Sequence, residues 1–221
     1  MSVRPLSLLE ARVLGVLVEK SLTVPDSYPL SLNALTLGCN QKTARDPVLA
    51  ASDAEVQGAV DALKALSLAF ESSGSRVSRY EHNMGRVLGL PSQSVALLAT
   101  LMLRGPQTAS ELRTASERLH RFADISAVEG FLDELATRAE EKGGPLAVKL
   151  PRAPGAREPR WAHLLGGPVD ASAFATASDG EAIVPMSEIA ALRSRVAVVE
   201  GEVERLRALV DRLYGELDIR R

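Results

Sequence analysis

The sequence has little of several features that would place it in a specialised class of protein. Its single cysteine excludes an intramolecular disulfide framework and is typical of a reducing compartment. Aromatic residues make up only 4% of the chain, so Leu, Val and Ala must fill the core. No apolar run approaches the roughly 18 residues that cross a bilayer, and early charges argue against a signal peptide. We therefore predict a cytoplasmic protein without a membrane segment.

The charges of the chain are almost balanced. Its 221 residues include 26 basic and 28 acidic side chains, which leaves a formal net charge of −2. No global basic field therefore attracts nucleic acid. The hydrophobic fraction of 46% and the charged fraction of 24% are those of an ordinary globular protein.

The sequence contains no recognisable catalytic or metal-binding pattern. Cys39 has no histidine near it in sequence and follows a glycine, which indicates a partly buried core thiol rather than a nucleophile. His82 and His163 each lie two residues after an aromatic side chain. This equivalence indicates a structural role in strands rather than a pair of metal ligands. We predict a protein that is not an enzyme and that holds no cofactor and no metal ion.

Residues with capping-box spacing mark the beginnings of several helices. In this motif a Ser or Thr side chain accepts a hydrogen bond from the main-chain amide of a Glu three residues later. The Glu side chain in turn accepts a hydrogen bond from the main-chain amide of the Ser or Thr. The spacing occurs at Ser7 with Glu10, Ser52 with Glu55 and Thr108 with Glu111. With apolar residues at helical intervals, it predicts helices at 7–20, 31–37, 52–67, 92–103, from 108, and at 124–141. We expect Gly38 to close the second helix and Asp124 to cap the last.

An internal repeat organises the chain. Residues 56–63, VQGAVDAL, match residues 128–135, VEGFLDEL, and RYEH at 79–82 matches RWAH at 160–163. Predicted strands at 68–71, 76–82, 147–150 and 160–165 follow the third and the last helix. Three helices closed by a hairpin form a winged helix, a helix-turn-helix variant. We predict a mainly α fold with small β-wings, in tandem winged-helix domains at 1–90 and 91–165, with Leu63 and Leu135 in matching core positions.

The last part of the chain differs from the predicted domains. Residues 166–185 are aperiodic and rich in small side chains, which is typical of a flexible linker. Residues 186–221 have aliphatic side chains at positions a and d of about four heptads. Side chains at position g also carry charges opposite to those at position e of the next heptad on a parallel partner helix. Both features favour a parallel two-stranded coiled coil. The alternative is an amphipathic helix packed on its own domain. The predicted dimerisation residues are Ile189, Leu192, Val196, Val199, Val203, Leu206, Val210, Leu213 and Leu217.

Charge divides the predicted winged helices into acidic third helices and basic wings. A third helix that reads DNA needs Arg, Lys, Asn or Gln facing the major groove. Here both third helices are net negative, so phosphate repels them. If DNA binds, we expect phosphate contacts from the wings and from the insertion before the third helix, at Lys42, Arg45, Arg76, Arg79, Arg157 and Arg160. The alternative is that these charges only keep the surface soluble.

Several segments resemble one family of bacterial proteins. The most specific is CNQKTARDPV at 39–48, supported by YPLSLNAL at 28–35 and LRGPQT at 103–108. EARVLG at 10–15 fits the same pattern. In these segments the chain is similar to the YceH family of uncharacterised bacterial proteins, with Ala44 where that family usually has Asn. The resemblance implies tandem winged-helix domains in a bacterial cytoplasmic protein, and it implies no activity.

Two interpretations of function follow from these patterns. In the first, the chain is a homodimeric DNA-associated regulator whose coiled coil pairs two subunits and whose wings contact phosphate. In the alternative, it is a protein-protein interaction scaffold whose winged helices do not bind DNA. The polar segment at 39–48 is likewise either a packed structural insertion or a binding loop.

Overall fold

The computed structural model describes residues 3–72, 77–153 and 155–169. The chain divides into two compact units, Met1–Ser178 and Asp179–Arg221, and the described residues belong to the first. The predicted coiled coil at 186–221, most of the predicted linker and Arg76 lie outside the described residues. The dimerisation residues therefore stay predictions.

The described residues form a mainly helical fold with two small antiparallel sheets. The helices are α1 (Leu8–Thr23), α2 (Leu32–Cys39), α3 (Asp53–Ala65), α4 (Met84–Leu88), α5 (Ser92–Arg104), α6 (Ala109–Ala115) and α7 (Ile125–Ala136), with 3₁₀ turns at Pro25–Ser27 and Glu140–Lys142. The strands are β1 (Leu30–Ser31), β2 (Ala69–Ser72), β3 (Arg79–His82), β4 (Ala147–Lys149) and β5 (Trp161–His163). In the first sheet β3 lies between β1 and β2, and in the second β4 pairs with β5. None of the helices in the described ranges is both long and apolar enough to cross a membrane.

Side-chain caps begin five of the described helices where the sequence predicts them. The Ser7 hydroxyl accepts a hydrogen bond from the Glu10 amide at 3.2 Å, and the Glu10 carboxylate accepts from the Ser7 amide at 2.8 Å. Reciprocal pairs also begin α3 at Ser52 and α6 at Thr108. Single side-chain caps begin α2 at Ser31 and α7 at Asp124. Because each such cap stabilises a helix by about 1 kcal/mol, these starting points are set locally.

Two predicted helix ends were wrong. Gly38 does not close α2, which continues to Cys39. A Cβ atom at position 38 would lie 2.6 Å from Cγ1 of Val16, so the glycine allows α1 and α2 to approach closely. α7 ends at Ala136 rather than near residue 141, because the chain turns back to form β4 and the Leu146 amide binds the Leu135 carbonyl at 2.9 Å.

Helices α1 and α5 lie at the centre of the described unit and pack against each other. All positions of α1 from Glu10 to Val18 are buried, as are those of α5 from Ser94 to Leu103. A helix that is covered on every face must lie between other elements. Their approach is close at Gly15, where a Cβ atom would lie 3.0 Å from the Leu103 side chain.

Each half of the described unit contains helices followed by two paired antiparallel strands. Helices α1, α2 and α3 precede β2 and β3, and helices α4, α5, α6 and α7 precede β4 and β5. Leu63 and Leu135 are both buried, as the repeat predicts. Tyr80 pairs with Leu30 in the first half, and the equivalent Trp161 pairs with Gln107 in the second. These pairings agree with the duplicated sequence blocks.

Candidate functional site

The six basic residues predicted to contact phosphate lie in different environments. Lys42 and Arg157 are exposed and have no ion-pair partner in the described part of the chain. Arg79 and Arg160 are also exposed, but both hydrogen-bond to the main chain. Arg45 is buried, and Arg76 lies outside the described residues. Of the predicted phosphate-binding residues that the structure describes, only Lys42 and Arg157 are therefore both exposed and without an ion-pair or main-chain partner.

The prediction that Arg45 is a surface cation was wrong. Its side chain has 0% exposure, and Nη2 lies 2.6 Å from Oε2 of Glu19 on α1. Its Nε donates to the Gly38 carbonyl at 3.1 Å, and its Nη groups donate to Gln41 and to the Ala44 carbonyl. Breaking a buried ion pair costs about 3–5 kcal/mol, so this guanidinium is not free to bind phosphate.

Arg79 and Arg160 make the same contact in the two halves. Nη1 of Arg79 donates to the Pro29 carbonyl at 2.8 Å, and Nη1 of Arg160 donates to the Pro106 carbonyl at 2.8 Å. Arg160 also forms an ion pair with Glu111 at 3.2 Å. Arg79 begins β3 and Arg160 directly precedes β5, and each joins this part of the chain to a proline before α2 or α6. This shared role in the fold accounts for an arginine in both copies of the repeated block.

The outward faces of α3 and α7 carry acidic side chains, as the sequence predicts. Glu129, Asp133 and Glu134 are exposed on α7, and that helix contains no Lys, Arg or His. None of these three carboxylates forms an ion pair with another residue in the described ranges. On α3 the charge is partly compensated, because Lys64 Nζ lies 3.7 Å from Asp61. The stronger negative surface is therefore that of α7.

The insertion between α2 and α3 is anchored to the core. Arg12 of α1 is fully buried and donates to the carbonyls of Cys39 at 3.0 Å and of Pro47 at 2.6 Å. Asn40 exchanges two hydrogen bonds with the main chain of Ala51, at 2.7 and 2.8 Å. These contacts favour a packed structural role for the inner side of the insertion.

Arg12 is a residue of this region that the sequence analysis missed. Burial lowers the pKa of its guanidinium, and the nearby charge of Arg45 lowers it further. Its Nε is buried without a hydrogen-bond partner among the described residues. The available signal was an arginine between Ala11 and Val13, in a stretch from 11 to 18 that is otherwise free of polar side chains. A buried cation in such a helix indicates contacts with main-chain carbonyls.

A groove of about 720 Å³ lies between the insertion and α6. The amide of Asp46 in the insertion donates to the carbonyl of Leu103, near the end of α5, at 2.8 Å. Two of the segments that carry the family resemblance, 39–48 and 103–108, therefore meet here. The lining consists of Ala44, Arg45, Asp46, Arg104, Pro106, Gln107, Ser110, Glu111, Thr114, Ala115 and Arg160.

Three titratable side chains that are buried or half-buried, Cys39, His82 and His163, lie outside the groove lining. Burial raises the pKa of the Cys39 thiol to about 12, which opposes the thiolate that a nucleophile needs. Burial lowers the pKa of His163 to about 4 and shifts the pKa of His82 in the same direction. Nδ1 of each ring is buried without a hydrogen-bond partner in the described residues. Within those residues, no three His, Cys, Asp or Glu side chains come together as metal ligands would.

Known proteins are similar to the chain over nearly its whole length. A family model described as "Protein of unknown function, DUF480" matches residues 6–156. A UPF0502 protein of Burkholderia multivorans is 63% identical over 220 residues, which cover 99% of this chain and 92% of that protein. UPF0502 proteins of Leptothrix cholodnii and Acidovorax sp. are 61% and 59% identical over 98% of this chain and 97% and 96% of their own lengths. The chain therefore belongs to this family, the bacterial DUF480 or UPF0502 proteins, in agreement with its resemblance to the YceH proteins.

Proposed function

We propose that the chain is a non-catalytic, homodimeric scaffold for protein-protein interaction, in which two winged-helix units present acidic third helices to a basic protein partner. The winged-helix interpretation is supported by helices α1–α3 followed by the paired strands β2 and β3, and by helices α5–α7 followed by the paired strands β4 and β5. It is also supported by the extra strand contacts at Leu30 and Gln107, which occupy equivalent places. The dimer is proposed from the heptad pattern at 187–217.

The observation that carries the proposal is the uncompensated acidic face of α7. In the winged-helix interpretation α7 is the third helix of the second unit. In DNA-binding domains of this kind, the third helix lies in the major groove. Its exposed carboxylates, Glu129, Asp133 and Glu134, have no cation on the same helix. They repel phosphate, which dominates the affinity of proteins for DNA. The same charges attract Lys and Arg side chains, and such complementarity raises association rates and selects partners.

The surface of α7 also has an apolar element that suits a protein interface. Ile125 is 39% exposed at the beginning of the helix. Ile125, Glu129 and Asp133 follow one another at four-residue spacing, so they lie along one stripe of the helix. Gly130 lies beside that stripe, and a Cβ atom added to it would have no atom within 4 Å. The surface at this position is therefore open. An apolar contact with a charged rim is the usual composition of a protein interface.

Affinity capture with a matched pair of variants tests the proposal. Glu129→Gln, Asp133→Asn and Glu134→Gln together remove three charges from α7 with little change in shape. Glu117→Gln, Glu140→Gln and Glu141→Gln remove the same charge from other exposed positions. Quantitative mass spectrometry of a nuclease-treated bacterial lysate should find basic partners that the wild type and the second variant retain and the α7 variant loses. The same partners on all three proteins, or partners that disappear with nuclease, would contradict it.

A second candidate function is favoured by exposed cations between β4 and β5. Lys149 lies on β4 with its Nζ 5.3 Å from the centre of the Trp161 ring, and Arg152 and Arg157 are exposed in the following loop. Together with Lys42 they are available for contacts with phosphate. Under this alternative the chain is a DNA-associated regulator that binds weakly, with little sequence preference and a strong dependence on salt.

A further inference from the structure

We infer that the groove between the insertion and α6 binds a zwitterionic small molecule of the size of an amino acid or a short peptide. Its volume of about 720 Å³ falls within the range of roughly 300–1,000 Å³ that small-molecule sites occupy. The groove shares no residue with the acidic stripe of α7, so the inference does not depend on the proposed scaffold function.

Two side chains of opposite charge line the groove without a partner. Asp46 and Arg104 are exposed, and neither side chain makes a hydrogen bond or an ion pair with any residue that the structure describes. At longer range the Asp46 charge raises the pKa of the buried Arg12. The other exposed charges of the lining, Arg160 and Glu111, pair with each other at 3.2 Å. The groove therefore presents one free anion and one free cation among its described residues.

The wall that carries Asp46 is held in place before any ligand arrives. The Asp46 amide donates to the Leu103 carbonyl at 2.8 Å, and the next residue, Pro47, is bound through its carbonyl to Arg12 at 2.6 Å. The carboxylate lies close to Gly105, where a Cβ atom would be 3.2 Å from Oδ2. These contacts fix the main chain of Asp46 beside the end of α5. A group positioned in advance loses little conformational freedom when it binds.

The backbone beside Asp46 adopts an unusual conformation. Ala44 has a φ angle of 58°, in the left-handed region that residues other than glycine rarely adopt. The buried contacts of Arg45 hold the chain in this conformation. Such strain persists only where the surroundings impose it, and it concentrates at binding sites. The strained residue itself lines the groove.

The charges and sizes of the lining side chains define the ligand. An ammonium group complements the Asp46 carboxylate, and a carboxylate complements the Arg104 guanidinium, which can donate two parallel hydrogen bonds. The small Ala44 and Ala115 leave room between the walls, and Thr114 brings a hydroxyl to the α6 side. A molecule with only one of the two charges pairs with only one of these side chains. The requirement for both charges is therefore the distinguishing property of the site.

Titration of the full chain with the dipeptide Ala-Ala and its two capped forms tests the inference. Followed by ¹H–¹⁵N NMR, Ala-Ala should bind saturably with a dissociation constant on the order of 1 mM. N-acetyl-Ala-Ala lacks the ammonium group and Ala-Ala amide lacks the carboxylate. Each should bind about ten-fold more weakly, and the signals that shift should include those of Asp46 and Arg104.

A pair of arginine variants locates the binding. Arg104→Gln should weaken Ala-Ala binding about ten-fold, because it removes the charge that faces the carboxylate. Arg86→Gln removes an exposed arginine of α4 that does not line the groove, and it should bind Ala-Ala as the wild type does. No saturable binding at about 10 mM, equal binding of the capped forms, or unchanged binding by Arg104→Gln would overturn the inference.

Discussion

At the scale of single residues, several arginines of this chain donate hydrogen bonds to main-chain carbonyls of the same chain. Arg12 binds the carbonyls of Cys39 and Pro47, and Arg79 and Arg160 each bind the carbonyl of a proline. A guanidinium suits this role because it carries five donors and stays charged. A basic residue on a loop or a wing therefore does not by itself indicate a phosphate contact.

The left-handed conformation of Ala44 predicts a stabilising substitution. Ala44→Asn should raise the free energy of unfolding by about 1 kcal/mol, because asparagine tolerates this region of φ better than alanine does. Ala50→Asn is a matched control in the same insertion, at a residue without positive φ, and should stay within about 0.5 kcal/mol of wild type. Urea unfolding measures both. Equal effects at the two positions would show that the strain at Ala44 is negligible.

The buried ring of His163 predicts a loss of stability in acid. Burial lowers its pKa from 6.5 to about 4, so below pH 6.5 the unfolded chain takes up a proton that the folded chain does not. The contribution of His163 to the free energy of unfolding should therefore be complete above pH 6.5 and should fall by about 1.4 kcal/mol per pH unit between pH 6.5 and 4. His163→Gln should make this slope shallower by that amount, whatever its effect at neutral pH. Equal slopes in urea unfolding series would rule out this role for His163.

At the scale of elements, two helical glycines should respond oppositely to the same substitution. Gly38→Ala places a methyl group 2.6 Å from Cγ1 of Val16 and should lower the free energy of unfolding by about 1–3 kcal/mol. Gly58→Ala on α3 meets no atom within 4 Å and should raise it by up to about 1 kcal/mol. Thermal unfolding compares the two variants. A stabilising Gly38→Ala would mean that α1 and α2 do not need this close approach.

The elements that could be predicted from the sequence are those set by neighbouring residues. The caps at Ser7, Ser52 and Thr108 act over three residues, so their helices began where predicted. The strand β1 was missed because two residues form it only by pairing with the distant β3. Arg45 was misplaced for the same reason, since its burial depends on Glu19 of another helix. The groove likewise joins segments far apart in sequence, so spacing could not predict it.

At the scale of the whole molecule, the heptad pattern predicts that the tail holds two subunits together. Val203→Asp places a charge at an a position and should convert the dimer to a monomer, because burying an unpaired charge costs several kcal/mol. Gly201→Asp adds the same charge at an outward f position and should leave the dimer intact. Analytical ultracentrifugation measures both. A dimer that survives Val203→Asp would assign subunit contact to another part of the chain.

The central claim for the whole molecule is that its acidic third helices serve a protein partner rather than DNA. A fluorescence anisotropy titration of a duplex of about 20 base pairs at about 50 mM salt, where phosphate contacts are strong, tests it most directly. Wild type should show no detectable binding, and neither should a variant in which Lys149, Arg152 and Arg157 are changed to Ala. Saturable binding by wild type that weakens steeply with salt and is lost in this variant would contradict the claim and establish the DNA-associated alternative.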